Sequence, residues 1–281
     1  VSTTTPSSAQ ETVRSLLAGA GDLPVLPENA MRILDEIRSP KASAARLAEF
    51  VSKDPVIAST VLRVANSALY GGRMEITDLT FAMTRIGLNH VRNLVLALVL
   101  RSKMADPQVY GPDGARLMEH SLAVAFGARL VADEAGVTAD ESFLCGLLHD
   151  FGKLALVKAL REAEGIRQGE LPEALQQIVE VHHPEAGALL AENWGLPAVV
   201  AATARWHHEP QGAGEHARMA AVVALADSLC HHLGLGSEPN DQIVPAELPV
   251  VTFLGLEADQ VQEIAEHLPG LFETARNAIR G

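Results

Sequence analysis

The chain has 281 residues, of which 48% are hydrophobic but only 4% aromatic, and a formal net charge of −13. That length holds one large domain or two small ones, with a core filled by Leu, Val, Ala and Ile rather than by rings, a composition that favours close-packed helices. The acidic balance argues against nucleic acid as a main partner, because neutralising phosphates takes clustered Lys and Arg.

Residues 1–10 are Ser/Thr-rich and read as disordered, and a short helix is expected over Glu11–Ala18. Leu23-Pro-Val-Leu-Pro27 reads as extended, and Glu28–Arg38 has helical spacing that Ser39-Pro40 breaks. Ser43 can cap the next helix. Asp54-Pro55 gives an N-cap followed by proline at the first helical position, opening a helix expected to run through Leu69 to Gly71-Gly72. Asp78 caps a helix through Ile86, Gly87 turns the chain, and Asn89–Lys103 forms a long apolar helix. A subdomain boundary is placed in the Pro- and Gly-containing stretch Met104–Gly114. Further helices are expected near 115–135, 140–162, 172–181, 184–194, 197–208 and 215–233, with a last one over Glu257–Arg280. No alternation persists long enough for a strand, so the fold class is all-α.

The longest strongly apolar run, Leu94–Leu100, lies between Arg92 and Arg101 and is too short to span a bilayer; no basic amphipathic segment points to a membrane surface. Cys145 and Cys230 are the only cysteines, too few for a disulfide framework, so a reducing, cytoplasmic setting is expected.

The chemistry concentrates at His149-Asp150, set within the apolar stretch Ser142–Ala155. An imidazole and a carboxylate in such surroundings need hydrogen bonds, counter-charges or a bound cation. Partners are available in His120, His183, the doublet His207-His208 and Asp227, the last inside the apolar run Ala220–Cys230. On a continuous helix His149, Asp150 and Lys153 fall within one turn. Pro184 disfavours helical geometry for its predecessor, which places His183 at the mouth of a helix. Imidazole nitrogens and carboxylate oxygens suit one or two divalent transition metal ions (Fe, Mn, Zn, Co or Ni), and two ions clamp both oxygens of an in-line phosphoryl displacement. Lys153 can contact a phosphate. His182, His231 and His232 read as solvated or helix-terminal residues, and Cys145 as a small packing residue.

These residues match the pattern of the HD metal-dependent phosphohydrolase superfamily. More closely, the chain resembles the HDOD family of bacterial signalling proteins, over roughly residues 23–232. The resemblance rests on Leu23-Pro-Val-Leu-Pro27, Asp54-Pro-Val-Ile57, Leu62-Arg-Val-Ala-Asn-Ser67, Arg85-Ile-Gly87, Cys145-Gly-Leu-Leu-His-Asp-Phe-Gly-Lys153, His183-Pro-Glu-Ala-Gly187, Trp194-Gly-Leu-Pro197 and His207-His208. It implies an HD-like helical bundle with an additional N-terminal helical subdomain: a tail at 1–22, the N-terminal subdomain at 23–105, the metal-site subdomain at 106–233 and a C-terminal helical extension at 234–281. It also implies metal ligation by His120, His149, Asp150, His183, His207, His208 and Asp227. The Gly-Tyr-Pro motif of the related HD-GYP phosphodiesterases is missing after His207-His208. Arg116 stands where some of those enzymes carry a metal-binding Glu.

The expected function is a regulatory module of signal transduction that works through a protein partner and retains the metal site without catalysis. The alternative is a metal-dependent phosphohydrolase acting on a nucleotide or cyclic dinucleotide, with Lys153 in a catalytic role. DNA binding through residues 78–103 is disfavoured, since Val91–Leu100 lacks the polar side chains a recognition helix needs. A sealed site without room for substrate would mark the regulatory module.

Overall fold

The computed structural model of the chain describes residues 11, 13–17, 43–66, 74–104, 107–137, 139–167 and 169–280. Among these residues all regular structure is helical, with no strand. The expectations for 1–10, Leu23–Pro27, Glu28–Arg38 and Gly71-Gly72 lie outside the described residues, whereas residues 13–17 are helical as expected. The chain forms two compact units, one of residues 1–25 and 104–268 and the other of 26–103 and 269–281.

In the second unit the capping residues set the helix starts. Ser43 accepts from Arg46 N at the start of α1 (Ala44–Val51), and Asp54 Oδ1 accepts from Val56 N and Ile57 N ahead of α2 (Pro55–Ala65). Asp78 does the same for α3 (Leu79–Ile86) through Phe81 N. The second helix stops earlier than its apolar spacing predicts. Its C-cap, Asn66, hydrogen-bonds both the carbonyl and the N–H of Ile76 at 2.8 Å, giving the chain a polar alternative to another helical turn. Gly87, at φ 90°, turns the chain into α4 (Leu88–Met104), whose residues from Leu94 to Leu100 are buried, as suits a core helix.

The first unit carries the chemistry. Its helices are α5 (Pro107–Glu134, interrupted at Gly111), α6 (Ala139–Leu148), α7 (Phe151–Glu164), α8 (Glu173–Asn193), α9 (Ala198–Trp206), α10 (Ala217–Leu233) and α11 (Pro249–Leu254). A 3₁₀ helix over Pro210–His216 links α9 to α10, and α12 (Ala258–Arg280) begins in this unit. The α5 helix packs on α6 and α10, and α8 packs on α7 and α9. Two glycines allow close backbone approaches between helices. A β-carbon on Gly146 would lie 2.8 Å from the Val124 carbonyl oxygen, and one on Gly152 would lie 2.0 Å from that of His183.

Two expectations are corrected here. The helix expected over 140–162 is two helices, broken at His149-Asp150. Adjacent residues of an unbroken helix point about 100° apart, and the break turns both side chains toward one centre. Conversely, 172–181 and 184–194 form the single helix α8 with Pro184 inside it, so His183 sits within a helix and not at its mouth. The bond that Pro184 cannot donate is replaced by His183 itself, whose Nδ1 donates to the Glu180 carbonyl at 2.8 Å.

Candidate metal centre

Seven side chains from five places along the chain converge in the first unit. His120 comes from α5, His149 and Asp150 from the α6–α7 break, and His183 from α8. His207 and His208 follow α9, and Asp227 lies on α10. His120, His149, Asp150, His183 and His207 are buried, Asp227 is partly so, and His208 is exposed.

Backbone carbonyls fix the rings. The Nδ1 atoms of His149, His183 and His207 each lie 2.8 Å from a carbonyl oxygen, of Gly146, Glu180 and Ala204 respectively. A carbonyl can only accept, so Nδ1 carries a proton and Nε2 is the ring nitrogen turned inward. Metal-binding histidines are oriented in this way.

The inward atoms form two groups that share Asp150. His183 Nε2 lies 3.4 Å from His207 Nε2 and 3.2 Å from His208 Nε2. The same atom is 3.2 Å from Asp150 Oδ1, with His207 Nε2 at 3.6 Å from that oxygen. In the other group Asp227 Oδ1 meets His120 Nε2 at 2.8 Å and His149 Nε2 at 3.7 Å, and Asp150 Oδ2 lies 3.6 Å from His149 Nε2.

The donor set fits a cation. His149 Nε2 and Asp150 Oδ1 are buried without a hydrogen-bond partner, which is costly unless a metal ion satisfies them. Burial works against both carboxylates ionising. His149 and Lys153 nonetheless hold Asp150 well below the ordinary carboxylate range, and the neighbouring imidazoles of His120 and His149 do so for Asp227. His207 is pushed down to about 3 by burial, reinforced by the charge of His149, which keeps its ring neutral and able to ligate. Lys153 Nζ bonds Asp150 Oδ2 at 2.9 Å and Glu180 Oε2 at 3.3 Å. Asp150 does not cap α7 with its side chain, so an ordinary helix-end role does not account for it.

A cavity of about 340 Å³ opens beside the centre, with His120, Asp150, Lys153, Arg116 and His231 in its wall. His231, read from the sequence as helix-terminal, does lie in the last turn of α10 but also reaches the centre. It lies one turn beyond Asp227 on α10, 3.4 Å from Asp227 Oδ1, and the i, i+4 spacing was the available signal. The loop after α10 matters too: the Leu235 carbonyl accepts from His120 Nδ1 at 3.3 Å, and a β-carbon on Gly236 would lie 2.3 Å from His120 N. Neither His182 nor His232 joins a metal-capable cluster among the described residues.

Helices that converge imidazoles and carboxylates on shared oxygens define an all-α, HD-like bundle. The sequence profile of the HDOD domain matches residues 23–210, and the chain belongs to the HDOD family. An uncharacterized protein of Treponema pallidum is 28% identical over 271 residues, covering 92% of this chain and 51% of that protein, so the chain spans about half the length of this curated relative. Ribonuclease Y of Thermus thermophilus is 34% identical over 116 residues, 41% of this chain and 16% of that protein. Among solved structures, an HDOD domain protein of unknown function from Geobacter sulfurreducens has a TM-score of 0.73 at 23% identity, with 97% of each chain covered. A Marinobacter aquaeolei protein named "Putative signal transduction protein" has a TM-score of 0.70 at 24% identity over 97% of this chain and 66% of that one. These likenesses establish the fold. No described helix is long and apolar enough to cross a membrane.

Proposed function

We propose that this chain is a signal-transduction protein whose centre binds one or two divalent transition ions and hydrolyses a phosphate ester of the nucleotide or cyclic dinucleotide class. The carrying observation is the cavity of about 340 Å³ that reaches Asp150, Lys153 and His120, since a purely structural metal site is closed to solvent. His120, His149, Asp150, His183, His207, His208 and Asp227 would hold the metal, which supplies Lewis acidity and an activated water when bound. Lys153 and Arg116 give the cavity wall two cations that can receive phosphate oxygens. Apolar wall residues such as Leu117 and Leu171 can cover a base or sugar. The missing Gly-Tyr-Pro motif argues against cyclic di-GMP hydrolysis of the HD-GYP kind. The signalling context draws on the HDOD family and on the name of the Marinobacter protein.

A second reading is a non-catalytic regulatory module in which the ion staples helices and a protein partner reads the surface. It is favoured by Lys153, whose ammonium already occupies Asp150 Oδ2 at 2.9 Å. Purified protein loaded with Mn, Fe or Zn and assayed against a panel of nucleotides and cyclic dinucleotides separates the two. Turnover that Asp150→Ala abolishes, together with loss of bound metal, is the expected result. A fully loaded protein with no turnover on any member of the panel leaves the regulatory module standing.

A further inference from the structure

Asp227 and His231 are one turn apart on α10, so both face the same side. Asp227 Oδ1 is approached by three imidazole nitrogens: His120 Nε2 at 2.8 Å, His231 Nε2 at 3.4 Å and His149 Nε2 at 3.7 Å. The His120 and His231 ring centroids are 4.6 Å apart. One ligand atom from each of His120, Asp227 and His231 falls within 4.8 Å of the others. His149 Nε2 supplies an independent sign of a missing partner, since it is buried and makes no hydrogen bond. His231 also lines the cavity, with 38% of its side chain exposed, so it meets the centre from the solvent side. Arg116, one turn before His120 on α5 and also in the wall, brings a charge that repels a metal ion and offers no lone pair.

We propose that His231 is a further metal ligand, joining His120 and Asp227 around the ion nearest the cavity. The added imidazole biases that ion toward zinc, cobalt, nickel or ferrous iron and away from the harder manganese and magnesium. The proposal rests on reading the cluster as a metal centre, and the test separates the two.

Full-length protein is titrated with Co(II), Zn(II) and Mn(II) in competition with a chelator, and its metal content is measured after dialysis. His231→Ala is expected to weaken Co(II) and Zn(II) binding at one site by about 10-fold or more, the size seen even for partners outside the coordination sphere. The Co(II) visible spectrum should change with the lost nitrogen donor, and Mn(II) binding should change less. His231→Glu, which returns a ligand atom, should restore metal content with preference moved toward Mn(II), and His232→Ala should behave as wild type. If His231→Ala destabilises the fold, His231→Glu decides. Wild-type affinity and Co(II) spectrum in His231→Ala, with metal lost in His149→Ala, overturns the role of His231 and keeps the centre. A wild-type protein that binds none of the three metals overturns both.

Discussion

Pro184 leaves the Glu180 carbonyl without its helical donor, and the His183 imidazole takes that carbonyl at 2.8 Å. A residue that costs an α-helix about 3 kcal/mol in its interior is thereby coupled to the orientation of a central ring. The proline selects which His183 nitrogen faces Asp150.

Pro184→Ala should therefore separate stability from metal binding. The new N–H at 184 competes for the Glu180 carbonyl, leaving His183 Nδ1 with only the longer 3.2 Å contact to the Val179 carbonyl. Metal-free protein should melt at the same temperature or higher, while metal affinity falls by roughly 10-fold, the scale of a lost orienting partner. Calorimetric titration beside a thermal melt measures both. Unchanged affinity would show that the ring is held by packing alone.

Cys145, one turn before His149, reports on the packing beneath the centre. Burial pushes its thiol up to about 12 from an ordinary 9.0, against the nearby Thr203 hydroxyl, which lowers it. Below pH 9 the thiol is protonated whether the chain is folded or not, and its contribution to stability is complete. Between pH 9 and about 12 the unfolded chain loses this proton while the folded chain keeps it, so stability falls as pH rises. One such group gives a slope of about 1.4 kcal/mol per pH unit. Urea unfolding at pH 8, 9.5 and 10.5 should show a shallower alkaline decline in Cys145→Ala than in wild type. Equal slopes would mean that the folded thiol ionises as readily as the unfolded one.

Much of this was legible in the sequence because it is local. The caps Ser43, Asp54 and Asp78 sit where short polar side chains precede apolar spacing, and the all-α class followed from helical spacing with no sustained strand alternation. The seven residues that meet in the first unit were marked by polar types in apolar runs and by a family resemblance. What escaped depends on three-dimensional substitution of one bond for another. The break at His149-Asp150 lies in an apolar stretch with no Gly or Pro at the break itself, so periodicity runs straight across it. The rule for residues before proline failed at His183 because a side chain replaced the missing backbone donor. His231, near a helix end beside a second histidine, looked like an ordinary partner for the helix dipole. Only its 3.4 Å distance to Asp227 Oδ1 sets it apart.

Gly152 ties the two halves of the centre together. It lies two residues after Asp150, in the first turn of α7, and a β-carbon there would lie 2.0 Å from the His183 carbonyl oxygen and 2.5 Å from Gly187 N, both rigid backbone of α8. Neither can rotate away, so Gly152→Ala must move α7 relative to α8, shifting Asp150 from His183. Overpacking of this kind costs about 1–3 kcal/mol or more, and metal affinity should fall with it. Gly165→Ala is the matched comparison. Its φ of 65° strains an alanine, yet a β-carbon there meets nothing within 4 Å. That variant should lose about 1–2 kcal/mol from the backbone alone and bind metal as wild type does. Measuring melting temperature and metal affinity for both variants distinguishes a steric contact at the centre from a general loss of stability. If Gly152→Ala loses stability but keeps full affinity, α7 and α8 do not need their close contact to align Asp150 with His183.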